Sequence, residues 1–482
     1  MIEALRGLGY SAPTAIADIL DNSISAGASV VDLTFGWNGP DSHLVITDNG
    51  RGMGPSALDL AMRLGERSPL DQREAADLGR FGLGLKTASF SQCRRLTVAS
   101  KQEGVTSTLR WDLDLLAAST SGEWSLYEGA SPGSEPLLRG LEGHAQGTVV
   151  LWEVMDRLTP KGGREQDFLN LIDRVEEHLA MVFHRFIESR AIIIRINGRA
   201  VAPWDPFLEN HTSTWRSRED RFTVNGDPIS VRGFVLPHRD RVDPKVWERA
   251  AGPDGWTSQQ GFYVYRNRRL LLAGNWLGLG RGRGWAKDEA FKLARIRIDL
   301  PNSADADWKI DIRKSVARPP PEARERLTLF AEDVRERARR VFAHRGSPKK
   351  AGKAAPRIQA WAVDHAAGGV RYRIDQSHPA VASVLEQAGS LTPELKAMIR
   401  IIEETVPIQQ IWLETAEARE TARTGFAGAP PAEVRALLLT LFRNLVVRKG
   451  LSPERAREQL ARTEPFDAYP EYVGELELGP QE

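Results

Sequence analysis

The sequence predicts an α+β protein of several domains, and three observations predict it. Helical and strand signals alternate through residues 1–157 in an order that suits one mixed sheet with helices on one face. A second α/β stretch follows from about Asp167, and beyond the lysine-, glycine- and proline-rich segment "GSPKKAGKAAP" the chain turns mainly helical. A chain of 482 residues is too long for one core. The expected domains are 1–157, 158–345 and 358–482, with 346–357 as a basic linker.

Each element has a local reason. The stretch Pro13–Ala26 is amphipathic and becomes the first helix, "SVVDLTF" has strand period, and "HLVITDNGRGM" is a strand running into a glycine turn. Pro55–Leu64 reads as a helix. The polar run "GERSPLDQREAADLGR" reads as a mobile loop, and "FGLGLKTASFSQC" opens a helix from a glycine turn. "RRLTVASK", "STLRWDL" and "GTVVLWEV" complete the first sheet. The second domain then holds the long helix "FLNLIDRVEEHLAMVFHRFI" and "AIIIRINGRAV". The strands "ISVRGFVL", "GFYVYRNRRLLL" and "FKLARIRIDLP" follow, and an arginine-rich helix over Pro321–His344 closes the domain. After the linker, "QAWAVDHAAGGVRYRI" suggests a β-hairpin around Gly368 and Gly369, followed by helices.

Composition narrows the function classes. The hydrophobic fraction of 41% and charged fraction of 27% are those of a globular protein. Cys93 is the only cysteine, so an intrachain disulfide is impossible, and no run of about 18 apolar residues marks a membrane span. A cytoplasmic protein with no membrane partner is expected. Formal net charge is only +1, so attraction to nucleic acid must come from local patches. Neither zinc-type His/Cys spacing nor "GxxxxGK[ST]" occurs.

Four motifs carry chemistry. Asp18 and Asn22 lie four apart, so on a helix they share one face. An amide oxygen there is a hard ligand for Mg²⁺, and a carboxylate beside it can orient or deprotonate a water; a solvated helix face is the alternative. In "DNGRGM", Asp48 offers an acceptor for an exocyclic amine, and Gly50 and Gly52 admit a flat ring; a simple turn is the alternative. In "GRFGLGLKTAS", Gly79, Gly82 and Gly84 leave the backbone able to face an anion, with Lys86 in the first helical turn. Thr148 opens the strand "GTVVLWE", where its hydroxyl can support the Asp48 carboxylate.

Taken in order, these motifs resemble the GHKL ATPase superfamily, which comprises gyrase B, the heat-shock chaperones, histidine kinases and MutL. "TAIADILDNSISAGA", "DNGRGM", "GRFGLGLKTASFSQCRRL" and "QGTVVLWE" look most like its MORC-like and MutL-like branch. The resemblance is strong over about residues 5–157. It extends to about 320, where "VYRNRRLL" and "DWKIDIRKS" resemble the transducer domain of that branch. It implies a Bergerat-type ATP-binding sandwich, an α/β transducer domain of ribosomal S5-like fold and a helical C-terminal region, with ATP and Mg²⁺ as cofactors.

By the same resemblance, Asn22 would hold Mg²⁺, Asp48 would accept the adenine amino group, and Gly50, Gly52 and Met53 would make room for the base. Gly79, Gly82, Leu83, Gly84, Leu85 and Lys86 would form the phosphate lid, with Gly65–Leu78 ordering over ATP, and Thr148 would support adenine recognition. Asp18 would be the general base where the family has glutamate, a methylene shorter by about 1.5 Å; slow turnover, or a water bridging the gap, is the implied consequence. Lys309 or Lys314 would reach the γ-phosphate.

The implied function is an ATP-gated, dimerising ATPase acting on DNA or with DNA-processing partners, as in bacterial restriction and phage-defence loci. The alternative is a protein-directed, chaperone-like or effector-regulating ATPase working with proteins of the same locus. A histidine kinase is disfavoured, because no histidine precedes His43. Candidate DNA contacts are Arg266, Arg268, Arg269, Arg281, Arg283 and the helix around Arg335–Arg340, with a solvated, acid-paired face as the alternative. His178, His184, Trp276, Trp285 and Trp308 are expected to pack rather than react.

Overall fold

A computed structural model describes residues 6–7, 9–63, 84–118, 125–158, 163–311, 316–343, 358–366, 369–408, 411 and 430–478. The chain divides into two compact units, Met1–His344 and Arg345–Glu482.

The first unit begins with helix α1 (Ala12–Ser25). Ser11 caps it, accepting a hydrogen bond from the Thr14 N–H at 3.4 Å, and Pro13 presets the first turn. The helix stops in a Schellman arrangement: Ala28 N–H reaches Ser23 O at 3.0 Å, and Gly27 N–H, at φ +76°, reaches Ile24 O at 2.9 Å. Strands β1 (Val30–Gly36) and β2 (His43–Asp48) follow, then α2 (Pro55–Met62) and α3 (Gly84–Phe90). The sheet continues through β3 (Arg95–Gln102), β4 (Val105–Asp112), β5 (Tyr127–Glu128) and β6 (Gly147–Glu153).

The next helix, α4 (Glu165–Val182), ends at Phe183 and gives way to the short α5 (His184–Glu188), where the sequence reads as one continuous helix. Strands β7 (Ile193–Ile196) and β8 (Arg199–Ala200) then complete an eight-stranded sheet in the order β5-β4-β3-β6-β2-β1-β7-β8. Only β1 and β7 run parallel in it, with Val31 opposite Ile194. This corrects the expected organisation, because "AIIIRINGRAV" closes the first sheet and the boundary at 157 cuts through it.

Alternation along the strands explains the layers. Leu33, Leu44, Ile46, Val98 and Trp152 face α1, α3 and α4. Val45, Ala99, Val149 and Leu151 face the opposite way and meet Leu141 of a 3₁₀ segment, Glu135–Leu141. α1 is buried nearly all round, polar residues Asp18, Asp21 and Ser23 included; a helix so placed keeps buried carboxylates only where partners reach them.

The second sheet comprises β9 (Trp215–Arg216), β10 (Asp220–Val224), β11 (Asp227–Val235), β12 (Gly261–Arg266), β13 (Arg269–Asn275) and β14 (Ala294–Leu300). Its order is β10-β11-β14-β12-β13, with β9 on β11. "GFYVYRNRRLLL", read as one strand, is a hairpin: Arg266 pairs with Arg269 across a two-residue turn in which Asn267 and Arg268 take φ +46° and +71°. Such turns match the twist of paired strands and require a positive φ at both positions. Helix α6 (Pro321–Ala343) covers this sheet with Ala323, Leu327, Ala331, Val334 and Ala338, one stripe at helical spacing.

The second unit holds the antiparallel pair β15 (Trp361–Ala366) and β16 (Gly369–Ile374) and helices α7 (Pro379–Gln387), α8 (Thr392–Glu404), α9 (Ala432–Arg443), α10 (Pro453–Leu460) and α11 (Pro470–Gly474). Its core gathers Leu438, Leu441, Phe442, Leu445, Ala456, Leu460, Phe466 and Val473. A hairpin followed by helices is the organisation read from the sequence. Among the described residues, no helix is long and apolar enough to cross a membrane.

Gly233 of β11 admits α6: a β-carbon there would stand 2.5 Å from Val334 Cγ2. Gly233→Ala is predicted to destabilise this unit by about 1–3 kcal/mol through overpacking. Thermal or urea unfolding measures this, and native stability would contradict the packing of α6 described above.

Candidate functional site

The site forms where β2 ends against the last turn of α1. After Asp48 the chain turns back, and Asn49 fastens the turn: its Oδ1 accepts the N–H groups of Ser29 and Val30 at 2.8 and 2.9 Å. Arg51 N–H reaches Ala26 O at 3.0 Å, and its guanidinium donates to Ser25 O at 2.9 Å. Gly50 lies so close to the helix end that a β-carbon would stand 2.8 Å from Ala26 Cβ. Gly52, at φ +66°, passes so near Lys101 O that a β-carbon would stand 2.0 Å from it.

Asp48 is buried at the centre of this arrangement. Ser23 Oγ donates to its Oδ2 at 2.7 Å, and the Gly50 N–H donates to its Oδ1 at 2.9 Å. Thr148 pairs with it across β2 and β6. Burial pushes the Asp48 carboxyl above its ordinary pKa, and the hydrogen bonds from Ser23, Gly50 and Thr148 pull the other way. A polar chain continues outward: Thr148 Oγ1 lies 2.9 Å from Ser100 Oγ, which accepts the Met53 N–H at 2.8 Å. Ser23 and Ser100 were not among the residues singled out from sequence. Ser23 directly follows Asn22, and Ser100 stands opposite Thr148 in the β3–β6 register, so only the pairing reveals it.

Asp18 is buried and Asn22, one turn on, is exposed, so the helix sets a carboxylate beside an accessible amide. The guanidinium of Arg269, the first residue of β13, reaches both acids of α1. Its Nε lies 3.1 and 3.2 Å from the Asp21 oxygens, and an Nη lies 3.7 Å from Asp18 Oδ1. His178 of α4 stands beside this cluster; burial, reinforced by the Arg269 charge, lowers its pKa to about 4, so it is neutral at pH 7. The Tyr10 hydroxyl is raised above its ordinary range by burial and by Asp18, and stays protonated.

The remaining expected residues fall variously. Met53 and Leu85 pack against the main core, and Gly84 opens α3 with empty space where a side chain would be. Lys86 is a different case from the one expected for a phosphate lid. It is buried, and its ammonium donates to Ala61 O at 3.0 Å and to Arg63 O, so it closes the C-terminal end of α2. Lys309 is exposed, in a left-handed conformation at φ +49°. Gly79, Gly82, Leu83, Lys314 and the stretch Gly65–Leu78 lie outside the described residues.

The arginines read as DNA contacts are largely committed within the protein. Arg266 is buried against Asp305, and Arg269 is buried as described. Arg268 donates to Arg185 O and stacks over Phe186; Arg281 pairs with Glu332. Arg335 sits among Trp276, Trp285 and Phe291, and its pKa falls to about 10 through burial. Arg337 pairs with Asp333, and Arg339 and Arg340 pair with Glu336. Arg283 is exposed. Trp276 and Trp308 are core residues and Trp285 packs against the same core, in agreement with the packing role read from sequence.

Residues 10–148 match the family described as Histidine kinase-, DNA gyrase B-, and HSP90-like ATPase. The chain is 30% identical over 175 residues to the DNA mismatch repair protein MutL of Rhodospirillum rubrum, covering 36% of this chain and 24% of that protein. It is 35% identical over 94 residues to MutL of Neisseria meningitidis serogroup C and 36% identical over 94 residues to that of Neisseria gonorrhoeae, in each case 18% of this chain and 14% of the relative. The chain thus aligns with no more than about a quarter of the length of these relatives.

Because the folded-state pKa of Asp48 is raised, its contribution to stability is full below the unfolded carboxyl pKa and is lost as pH rises through the folded value. Asp48→Asn removes that titration. The variant is predicted to lose less stability than the native chain between pH 3 and pH 7, as measured by denaturant unfolding; identical pH profiles would show that Asp48 ionises without cost.

Proposed function

Since residues 10–148 belong to the GHKL superfamily of ATPases, with a MutL-like relationship, we propose that this chain binds and hydrolyses Mg-ATP at the α1–β2 site and works as a nucleotide-gated, dimerising switch. The observation that carries this reading is Asp48: a buried carboxylate at a strand end, held by Ser23 and Gly50, beside the helix that bears Asp18 and Asn22. In this reading Asp48 accepts the adenine amino group, Gly50 and Gly52 keep the backbone thin beside the base, and Thr148 and Ser100 hold the polar chain behind it. The donor set fits the metal: an exposed amide oxygen near carboxylates is hard-ligand chemistry suited to Mg²⁺. Asn22 holds the ion, which when bound offsets triphosphate charge. Asp18 takes the proton of the attacking water. Lys309 and Lys314 are the two candidates for sensing the γ-phosphate, and Gly79, Gly82, Leu83, Gly84 and Leu85 belong to the phosphate lid, which Lys86 joins only by releasing the carbonyls of Ala61 and Arg63.

DNA as the object of the switch is supported by the MutL relationship rather than by the arginines first expected to touch it, most of which are paired internally. The restriction or phage-defence setting rests on the resemblance of the motifs alone. A second reading, an ATPase directed at a protein partner, is favoured by that internal pairing and by the exposed apolar residues Met398, Ile401 and Ile402 along α8 and Leu391 just before it. Affinity for DNA that falls steeply between about 50 and 200 mM salt supports the first reading; absence of DNA binding at low salt supports the second.

Turnover of Mg-ATP by the full chain tests the shared core of both readings. Asn22→Ala and Asp18→Asn are each predicted to lower it by about 10²-fold or more. Asn22→Ala weakens Mg-ATP binding, and Asp18→Asn leaves it intact. Native turnover in both variants, or no Mg-ATP binding by the native chain, would overturn the assignment.

A further inference from the structure

The arginine hairpin of the second sheet was expected at the surface, yet its last arginine is buried beside the candidate base. Arg269 is 2% exposed, Asp18 is 5% exposed and Asp21 is 1% exposed. Three features hold the guanidinium in place. Asp21 takes the direct hydrogen bonds through Nε, the Leu270 carbonyl accepts from Nη1 at 2.7 Å, and the Phe183 ring lies 5.9 Å from the guanidinium carbon. What remains of the fork is directed at Asp18, at 3.7 Å. That separation is beyond hydrogen-bond length but well inside the range in which opposite charges stabilise each other in a buried site.

His178 is neutral, Tyr10 is protonated, and Asp311 is the further acid that acts on Tyr10. Asp21 takes the direct hydrogen bonds of Arg269, so the guanidinium stands as a fixed cation 3.7 Å from Asp18. Were Asp21 absent, the same guanidinium could close on Asp18 as a direct bidentate pair and compete with a water for its oxygens.

Resting on the hydrolytic reading above, we propose that Arg269 is the positioning residue of the base Asp18. Because it enters from β13, the base is competent only while the second sheet is seated on α1. Asp21 anchors the guanidinium at the distance that orients Asp18 without capturing it. This gives the shorter aspartate the fixed geometry that its missing methylene would otherwise deny it. A movement of the second sheet away from α1 withdraws the cation and idles the base, so coupling between the two sheets is carried by one side chain.

The test uses the full chain, with steady-state turnover and Mg-ATP dissociation constants measured side by side. Arg269→Gln is predicted to lower kcat by about 10²-fold while the dissociation constant stays within about 3-fold, since misplacement of a reacting group by ~1 Å has that effect on rate. Arg269→Lys, which keeps the charge but not the fork, should recover part of the loss. Asp21→Asn/Arg269→Gln removes both charges together and guards against simple unfolding of the single variant; it should bind Mg-ATP normally and remain as slow as Arg269→Gln alone. A purely structural role would lower the melting temperature and leave kcat per folded molecule unchanged. Native kcat in Arg269→Lys and in the double variant, with Asp18→Asn inactive, overturns this inference and leaves the hydrolytic reading standing. No Mg-ATP turnover by the native chain overturns both.

Discussion

The structure of the first unit depends on the ion cluster in which Arg269 meets Asp18 and Asp21. A helix buried on nearly every side is a poor place for two carboxylates, because an unpaired buried charge costs several kcal/mol. α1 tolerates both because a guanidinium arrives from outside its own sheet. The arrival is fixed by local backbone: Asn267 and Arg268 turn the chain in two residues, so Arg269 begins β13 facing α1 rather than extending β12 into solvent. Phe183, at the break between α4 and α5, lies beside the guanidinium, and α4 brings a histidine that burial keeps neutral. Helix, hairpin and helix break converge on one cation.

The same helix carries its chemistry to the strand end. Its Schellman turn brings Ser23 onto Asp48 and lets Arg51 tie the following loop to Ser25 and Ala26. Asp48 is therefore a carboxylate held in place at some cost in ionisation, the arrangement expected where a group is kept for recognition and not for stability. Asp18 and Asp21 within α1, and Asp48 of β2 against its last turns, each have their own partner, which makes α1 the element through which the nucleotide reading and the second sheet are linked.

Much of this was legible in sequence, for identifiable reasons. The i,i+4 pair Asp18 and Asn22, the Asp48 turn with Gly50 and Gly52, and Thr148 at the start of β6 are short-range patterns, and local geometry places them as the spacing implies. Other features depend on distant parts of the chain. The strand Ile193–Ile196 looks like the start of a new domain because nothing local shows that it lies parallel to β1, some 160 residues earlier by register. "RNRRL" looks like a basic surface patch because a positive φ at Asn267 and Arg268 leaves no glycine to mark the turn. Lys86 looks like a phosphate ligand because its helix opens from a glycine run, whereas the carbonyls it meets belong to α2, more than 20 residues earlier. In each case a tertiary contact decided what the local pattern left open.

The most direct test of the account is a crystal structure of the chain with Mg²⁺ and a non-hydrolysable ATP analogue. The account predicts the adenine amino group within hydrogen-bond distance of the Asp48 carboxylate, the metal on the Asn22 amide oxygen, and Arg269 still joined to Asp21. A nucleotide bound elsewhere, or bound here with Asp48 and Asn22 both out of reach of it, would contradict the account at its centre.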